Sequence, residues 1–358
     1  MRRSCRSCSS ACRPIAARGR SVAPVKAEAV LAAARRRAGL PLPPATDLVR
    51  LVDDAADGCP GLVIDRYGPV LRFEVRGASL PPGLPELAVS LLAETGATAA
   101  VARLRTAGGE SALVRLCGEP PPLHVVHEDG LRFAVRTADL EAAGAGVFVD
   151  QREGRRRVRA AARGVPVLNL FAHAGAFGVA AAVGGAARVD HVDLARKCAT
   201  WAALNLAVNG VDPRAHRFLV EDALDVLERV ARKGPGYGVV VVDPPTTATR
   251  RSKGGKARRF HVEQDLPWLA EAALSALLPG GLLLLSTNHR ELTVRELQER
   301  VVAAARAVGV SLDSVEELPL PPDLPSATDA ALRPMRGVIA RSQRVAPRSP
   351  TRRASARG

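Results

Sequence analysis

The sequence predicts an α/β protein: a doubly wound parallel sheet preceded by a small α+β domain. Three observations carry this. Between about residues 146 and 340, strand-like runs alternate with helical segments, the rhythm of strands buried on both faces and joined by crossover helices. Each run ends on a small or polar cluster, as the carboxyl edge of an open sheet requires if ligands bind there. Before residue 146 the rhythm is different, with short strands, frequent turns and one short helix.

The 358 residues are ample for two domains. Residues 1–40 hold ten Lys/Arg and one acid and are expected to be a basic, disordered head; residues 341–358 hold six arginines and no acid and are expected to be a disordered tail. These two ends account for the whole net charge of +15, so the body from 41 to 340 is neutral. Total charge is therefore no argument for a polyanionic partner, and only local basic clusters count. The first 22 residues, rich in Arg and Ser and free of acids, read as a transit-like segment or as a start assigned too far upstream. Cys5, Cys8 and Cys12 have metal-like spacing but no fourth ligand nearby, and Cys59, Cys117 and Cys198 are scattered. No metal and a reduced, cytoplasmic setting are expected. The longest apolar stretch, Val165 to Ala187, contains Asn169, His173 and four glycines. That is strand, turn and helix, and no membrane span is expected.

In the domain spanning 41–145, Asp57–Val75 reads as a β-hairpin turning at Tyr67-Gly68-Pro69, Leu84–Gly96 as a helix closed by glycine, and Val101–Arg105, Ser111–Gly118 and Leu131–Arg136 as strands. In the domain spanning 146–340, the strands are Val165–Phe171, Arg188–Asp193, His216–Asp222, Tyr237–Asp243 and Gly280–Thr287, each followed by a helix, with two late strands at SLDSVEEL and MRGVIAR. The strand ends bring five groups to one edge: Ala172-His173-Ala174-Gly175, Asp193, Glu221-Asp222, Asp243-Pro244-Pro245 and Ser286-Thr287-Asn288. The glycine turn lets a ligand approach the backbone at a helix N-terminus. An acid about 20 residues further on suits a ribose diol. The turn lacks the full dinucleotide fingerprint and has no G-K-[ST], which argues against a dinucleotide and against a P-loop.

Taken together, LNLFAHAGAFG, RVDHVD, VEDALDVL, VVVVDPPT and STNHREL, with GVFVDQREGRRRV before the first strand, resemble the Rossmann-like class I S-adenosylmethionine-dependent methyltransferases. Within them the chain resembles bacterial large-subunit (23S) ribosomal RNA methyltransferases that make 5-methylcytidine or 7-methylguanosine, over roughly residues 47–340. The resemblance implies S-adenosylmethionine as cofactor and ribosomal RNA as partner. It implies that Phe148, Gln151 and Arg152 close over the cofactor, with Arg152 meeting a carboxylate. Asn169, Phe171, Ala172, His173 and Gly175 would line its methionine and ribose side, Asp193 would hold the ribose and Asp222 the adenine. Asp243, Pro244 and Pro245, with Asn288, would form the catalytic floor where methyl donor and acceptor base meet, with Asp243 also among the cofactor-binding residues.

Two prolines after the fourth strand stop it and fix its last carbonyls. The basic run Arg250, Arg251, Lys253, Lys256, Arg258 and Arg259 is expected to be a loop that contacts RNA phosphates. The cluster Arg152, Arg155, Arg156, Arg157 and Arg159 is read as a helix face open to solvent as readily as a functional one. The fifth-strand motif holds no cysteine, where the 5-methylcytidine members have one, so Ser286-Thr287-Asn288 favours the 7-methylguanosine type. Thr247 stands where those members tend to have an aromatic, and the RNA-binding domain that precedes the small domain in some members is expected to be missing, leaving its work to the small domain. A non-RNA acceptor, or an RNA-binding assembly factor without turnover, are the alternatives. Oligomeric state is left open.

Overall fold

The computed structural model describes residues 25–106, 108–251, 257–325 and 333–343, with backbone alone at 247–251 and 257–259. Seven strands form the larger sheet in the order β10-β9-β8-β11-β14-β16-β15. They are β8 (Pro166–Leu170), β9 (Arg188–Asp193), β10 (Arg217–Val220), β11 (Tyr237–Val242), β14 (Leu277–Thr287), β15 (Leu312–Glu317) and β16 (Arg336–Ser342). The first five in that order run parallel, and β16 is antiparallel to both neighbours. The chain leaves β8 toward β9 and β10, then returns to lay β11 on the other side of β8. The topological switch point, where such sheets bind ligands, lies between β8 and β11. The crossovers are α4 (Ala176–Val183), α5 (Arg196–Val208), α6 (Ala223–Lys233), α7 (Val262–Ser275) and α8 (Val294–Ala307). Val239–Val242 and Leu283–Leu285 are wholly buried, which is why these strands read as unbroken apolar runs.

The smaller sheet has the order β1-β2-β3-β4-β5: β1 (Leu48–Asp53), β2 (Leu62–Tyr67), β3 (Val70–Arg76), β4 (Ala99–Arg105) and β5 (Ser111–Cys117). The helix α2 (Leu84–Thr95) carries the chain between the parallel pair β3 and β4. The structure corrects the expected head: Ala27–Ala38 is a helix, α1. Val30, Ala33, Ala34 and Arg37 form a buried stripe on it, packed on the small sheet's core. Arg37 donates to both Asp57 oxygens, at 2.7 and 2.6 Å. The density of arginines masked a helix that is apolar on one side.

A hairpin of β6 (His124–Glu128) and β7 (Leu131–Val135) follows. One ladder on α5 holds its free edge. Trp201 Nε1 donates to Ala134 O (2.7 Å), Asn205 Oδ1 accepts from Ala134 N (2.8 Å), and Asn209 Oδ1 accepts from Arg132 N (2.9 Å). Residues four apart share a helix face, so α5 satisfies β7 as a strand would.

The arginine cluster on α3 (Arg152–Ala161) is divided. Arg152 and Arg155 are fully buried, while Arg156 and Arg157 face solvent. Arg155 grips Glu128 with two bonds of 2.6 Å, and Arg152 bonds Glu128 (3.3 Å), Asp323 (2.5 Å) and Leu48 O (2.5 Å). Asp323 also accepts from the Arg50 backbone. This network ties the small sheet, the hairpin and the large sheet together.

Candidate active site at the switch point

The chain leaves β8 through a tight turn. Phe171 and His173 take positive φ, 54° and 48°, a strained setting for residues other than glycine. Asp193 at the end of β9 holds the turn, accepting from His173 N and from Ala195 N, both at 2.9 Å. The His173 ring lies between Phe148 (5.6 Å) and Trp201 (5.8 Å), and burial lowers its pKa, keeping it neutral. Gly175 opens α4 in the left-handed region at φ 81°. A Cβ on Gly178 would come within 2.1 Å of the His191 ring, so glycine there lets α4 seat on β9.

At the end of β11, Asp243 Oδ1 accepts from Ser286 Oγ (2.7 Å) and from Gln151 Nε2 (3.2 Å). Gln151 also donates to Ser286 Oγ (3.2 Å). Burial pushes the Asp243 carboxyl up to about 6; the nearby Asp150 carboxylate adds to this, while the Ser286 and Gln151 bonds and Arg155 oppose it. Asp150 is itself raised, chiefly by burial. Pro244 is buried and Pro245 exposed. Thr246 Oγ1 donates to Asn288 Oδ1 (2.5 Å), tying the ends of β11 and β14 together.

Asp243, Pro244, Pro245, Gln151 and Asn288 thus meet around the ends of β11 and β14, and Phe171, Ala172, His173, Gly175 and Asp193 share the turn after β8. Asn169 is buried in β8 and its Nδ2 has no partner; Gln151 Oε1 has none either. Asp222 caps α6 by accepting from Leu224 N (2.8 Å). Arg152 is corrected: the carboxylates it meets are Glu128 and Asp323, and a guanidinium with no exposed surface cannot reach a ligand. The basic loop is corrected in part. Thr247–Arg251 and Ala257–His261 pair as an antiparallel hairpin, β12 and β13. Lys253 and Lys256 lie outside the described residues, as do the side chains of Arg250, Arg251, Arg258 and Arg259. Sequence reasoning missed Asp150 and Trp201. Their signals were the acid beside Gln151 in Asp150-Gln151-Arg152 and the rarity of tryptophan, with two in the chain.

Residues 89–337 match the family model of the S-adenosylmethionine-dependent methyltransferases. The chain belongs to this family. It is 33% identical over 275 residues to a ribosomal RNA large subunit methyltransferase of Deinococcus radiodurans, covering 74% of this chain and 65% of that one. It is 36% identical over 206 residues to ribosomal RNA large subunit methyltransferase K/L of Methylococcus capsulatus, covering 58% of this chain and 26% of that one. It is 30% identical over 278 residues to ribosomal RNA large subunit methyltransferase I of Cronobacter sakazakii, covering 76% and 68%. The chain therefore spans less than two thirds of the length of the first two. The crystal structure of SMU.776 complexed with SAH superposes with a TM-score of 0.75 at 25% identity, over 88% of this chain and 80% of that one.

The residues present fit the methyltransferase family's cofactor. Asn169 offers an unpartnered buried donor, Gln151 an unpartnered acceptor, and Asp150 and Asp243 supply negative charge suited to a sulfonium. S-adenosylmethionine, when bound, supplies an electrophilic methyl group on a cationic sulfur. Among the described residues no helix is long and apolar enough to cross a membrane.

Proposed function

We propose that this protein transfers a methyl group from S-adenosylmethionine to large-subunit ribosomal RNA in the cytoplasm, at N7 of a guanine, without a covalent enzyme intermediate. The observation that carries the reading is the floor at Asp243, built with Ser286 and Gln151 and with no thiol among the bonded groups. Methylating C5 of cytosine needs a nucleophile on C6 and a base for the C5 proton. The described cysteines do not meet that need. Cys59 is buried in the small sheet's core and Cys117 lies on β5. The Cys198 thiol, in α5, is pushed up to about 12 by burial, with Asp193 adding to it, so it is no thiolate at neutral pH. Guanine N7 attacks with its own lone pair and loses no proton. Its product ring is cationic, and the ionised Asp243 favours that charge as it develops. Most of the rate then comes from holding the two reactants in line. In this reading Asp193 holds the ribose, Asp222 faces the adenine, and Asn169 with the Phe171–Gly175 turn lines the rest of the cofactor.

The test is transfer of labelled methyl from S-adenosylmethionine to unmodified large-subunit RNA, with Asp243→Ala and Cys198→Ala beside the wild type. Asp243→Ala is expected to lose transfer by at least about a hundredfold even at saturating cofactor, and Cys198→Ala to retain it. Dependence on Cys198 would overturn the non-covalent route. No transfer by the wild type to this RNA would overturn the acceptor.

A further inference from the structure

The small sheet has two faces. One carries Leu62, Ile64, Leu71, Phe73 and Val75 and packs on α1 and α2. Strand alternation and the pairings Glu74↔Arg103, Arg76↔Arg105 and Val101↔Arg115 bring arginines of β3, β4 and β5 together on the other. The inner end of that second face is covered. Tyr67 Oη donates to Gly144 O and Val147 O (3.2 and 3.3 Å), and Arg72 Nη1 donates to Ala142 O (3.3 Å). The covering segment runs directly into Gln151, so this face begins at the wall of the cleft. Its outer end is basic, with Arg76, Arg105 and Arg115 exposed and Arg103 partly buried among them.

We infer that this outer end, centred on Arg103 and Arg105, docks the phosphate backbone of the RNA substrate at a distance from the target base; the inference rests on the RNA reading above. Arg105 is exposed and forms no ion pair among the described residues. Arg103 has Glu74 no nearer than 3.8 Å, and its Nε has no partner. Arg72 is 2% exposed and leaves Nη2 without a partner. One carboxylate, Glu74, thus serves both Arg72 and Arg103. Arg76 and Arg115 are met by Asp54 and Glu119 at the margins. Arg76 stands directly across from Arg105, and like charges opposed on neighbouring strands cost stability, a cost that a polyanion would relieve. Burial first, then Arg105 and Arg72, lower the Arg103 pKa against the pull of Glu74, as excess positive charge should. None of the large exposed hydrophobic residues lies on β3, β4 or β5. A surface without an apolar anchor suits phosphates, which guanidinium forks grip in pairs, better than a protein partner.

The experiment measures binding of the full chain to protein-free, unmodified large-subunit RNA over a salt series. Arg103→Gln/Arg105→Gln is compared with Arg232→Gln/Arg295→Gln, an equal charge change on exposed positions of α6 and α8. The first variant is expected to bind roughly tenfold more weakly near physiological salt, with the salt slope smaller by about 1.5, with a melting temperature no lower than the wild type's and with S-adenosylmethionine affinity unchanged. If both variants bind alike, the surface is wrong and the RNA reading stands. If the wild type binds no RNA even at low salt, the RNA reading falls and this surface with it.

Discussion

Asp243 shows at the scale of one residue how position sets chemistry. The same burial that places it beside Ser286 and Gln151 raises its carboxyl to about 6. It must be ionised to favour a cationic product, so transfer should be present at neutral pH and fall as pH drops through about 6. A pH–rate profile at saturating cofactor checks this, and a profile flat from about one unit below that value to about two units above it would contradict it. The stability effect has the opposite sign. The folded pKa lies above the ordinary value of 3.8, so the folded form binds more protons between those values and loses stability as pH rises through about 6. Asp243→Asn should remove that loss, gaining on the order of 1–2 kcal/mol at neutral pH after allowing for solvent access. Much of this site was legible in the sequence. Strand ends carry polar residues because the strands themselves are apolar, so Asp193, Asp222, Asp243 and Asn288 stood out. Arg152 did not reveal its role, because an arginine meeting a carboxylate reads the same whether that carboxylate is a ligand's or the protein's own.

Helix α5 shows how an element can be specified twice. Its sequence periodicity marks a helix, but Trp201, Asn205 and Asn209 are spaced to close the edge of a strand more than sixty residues earlier in the chain. Asn205 is 1% exposed and also donates to Ala174 O (2.8 Å), next to the turn after β8. Asn205→Ala leaves Ala134 N and Ala174 O buried and unpaired, which should cost roughly 3 kcal/mol. Urea denaturation of variant and wild type measures it, and a cost below about 1 kcal/mol would mean that water replaces both bonds. None of this long-range pairing can be read from local pattern. The β12–β13 hairpin was missed for a related reason: its arginines come as adjacent pairs, Arg250-Arg251 and Arg258-Arg259, which carry no period-2 alternation and so look like a loop. Helix α1 was hidden by its charge, although its buried stripe recurs at the spacing of a helix face.

Across the whole molecule, the arginines divide into three populations that the net charge of +15 blends into one. Some lie in the two basic ends. Some are buried connectors: Arg37 and Arg50 pair with Asp57 and Asp65 inside the small sheet's own unit, while Arg152 and Arg155 on α3 reach Asp323 after β15 and Glu128 in the hairpin. Such pairs add little net stability against their desolvation, but removing one partner is costly, so they fix the mutual placement of the parts. Most of the rest face outward, and on the small sheet Arg76, Arg105 and Arg115 gather at the outer end of one face. The order of the seven strands follows from the alternation of strand and helix, and the switch point between β8 and β11 follows from that order. The sequence therefore marks the candidate site, and under the proposed function the chemistry depends on which base lies on the Asp243 floor. The direct measurement is nucleoside mass spectrometry of unmodified large-subunit ribosomal RNA after incubation with the protein and S-adenosylmethionine. The account predicts 7-methylguanosine as the new nucleoside, and 5-methylcytidine would contradict it.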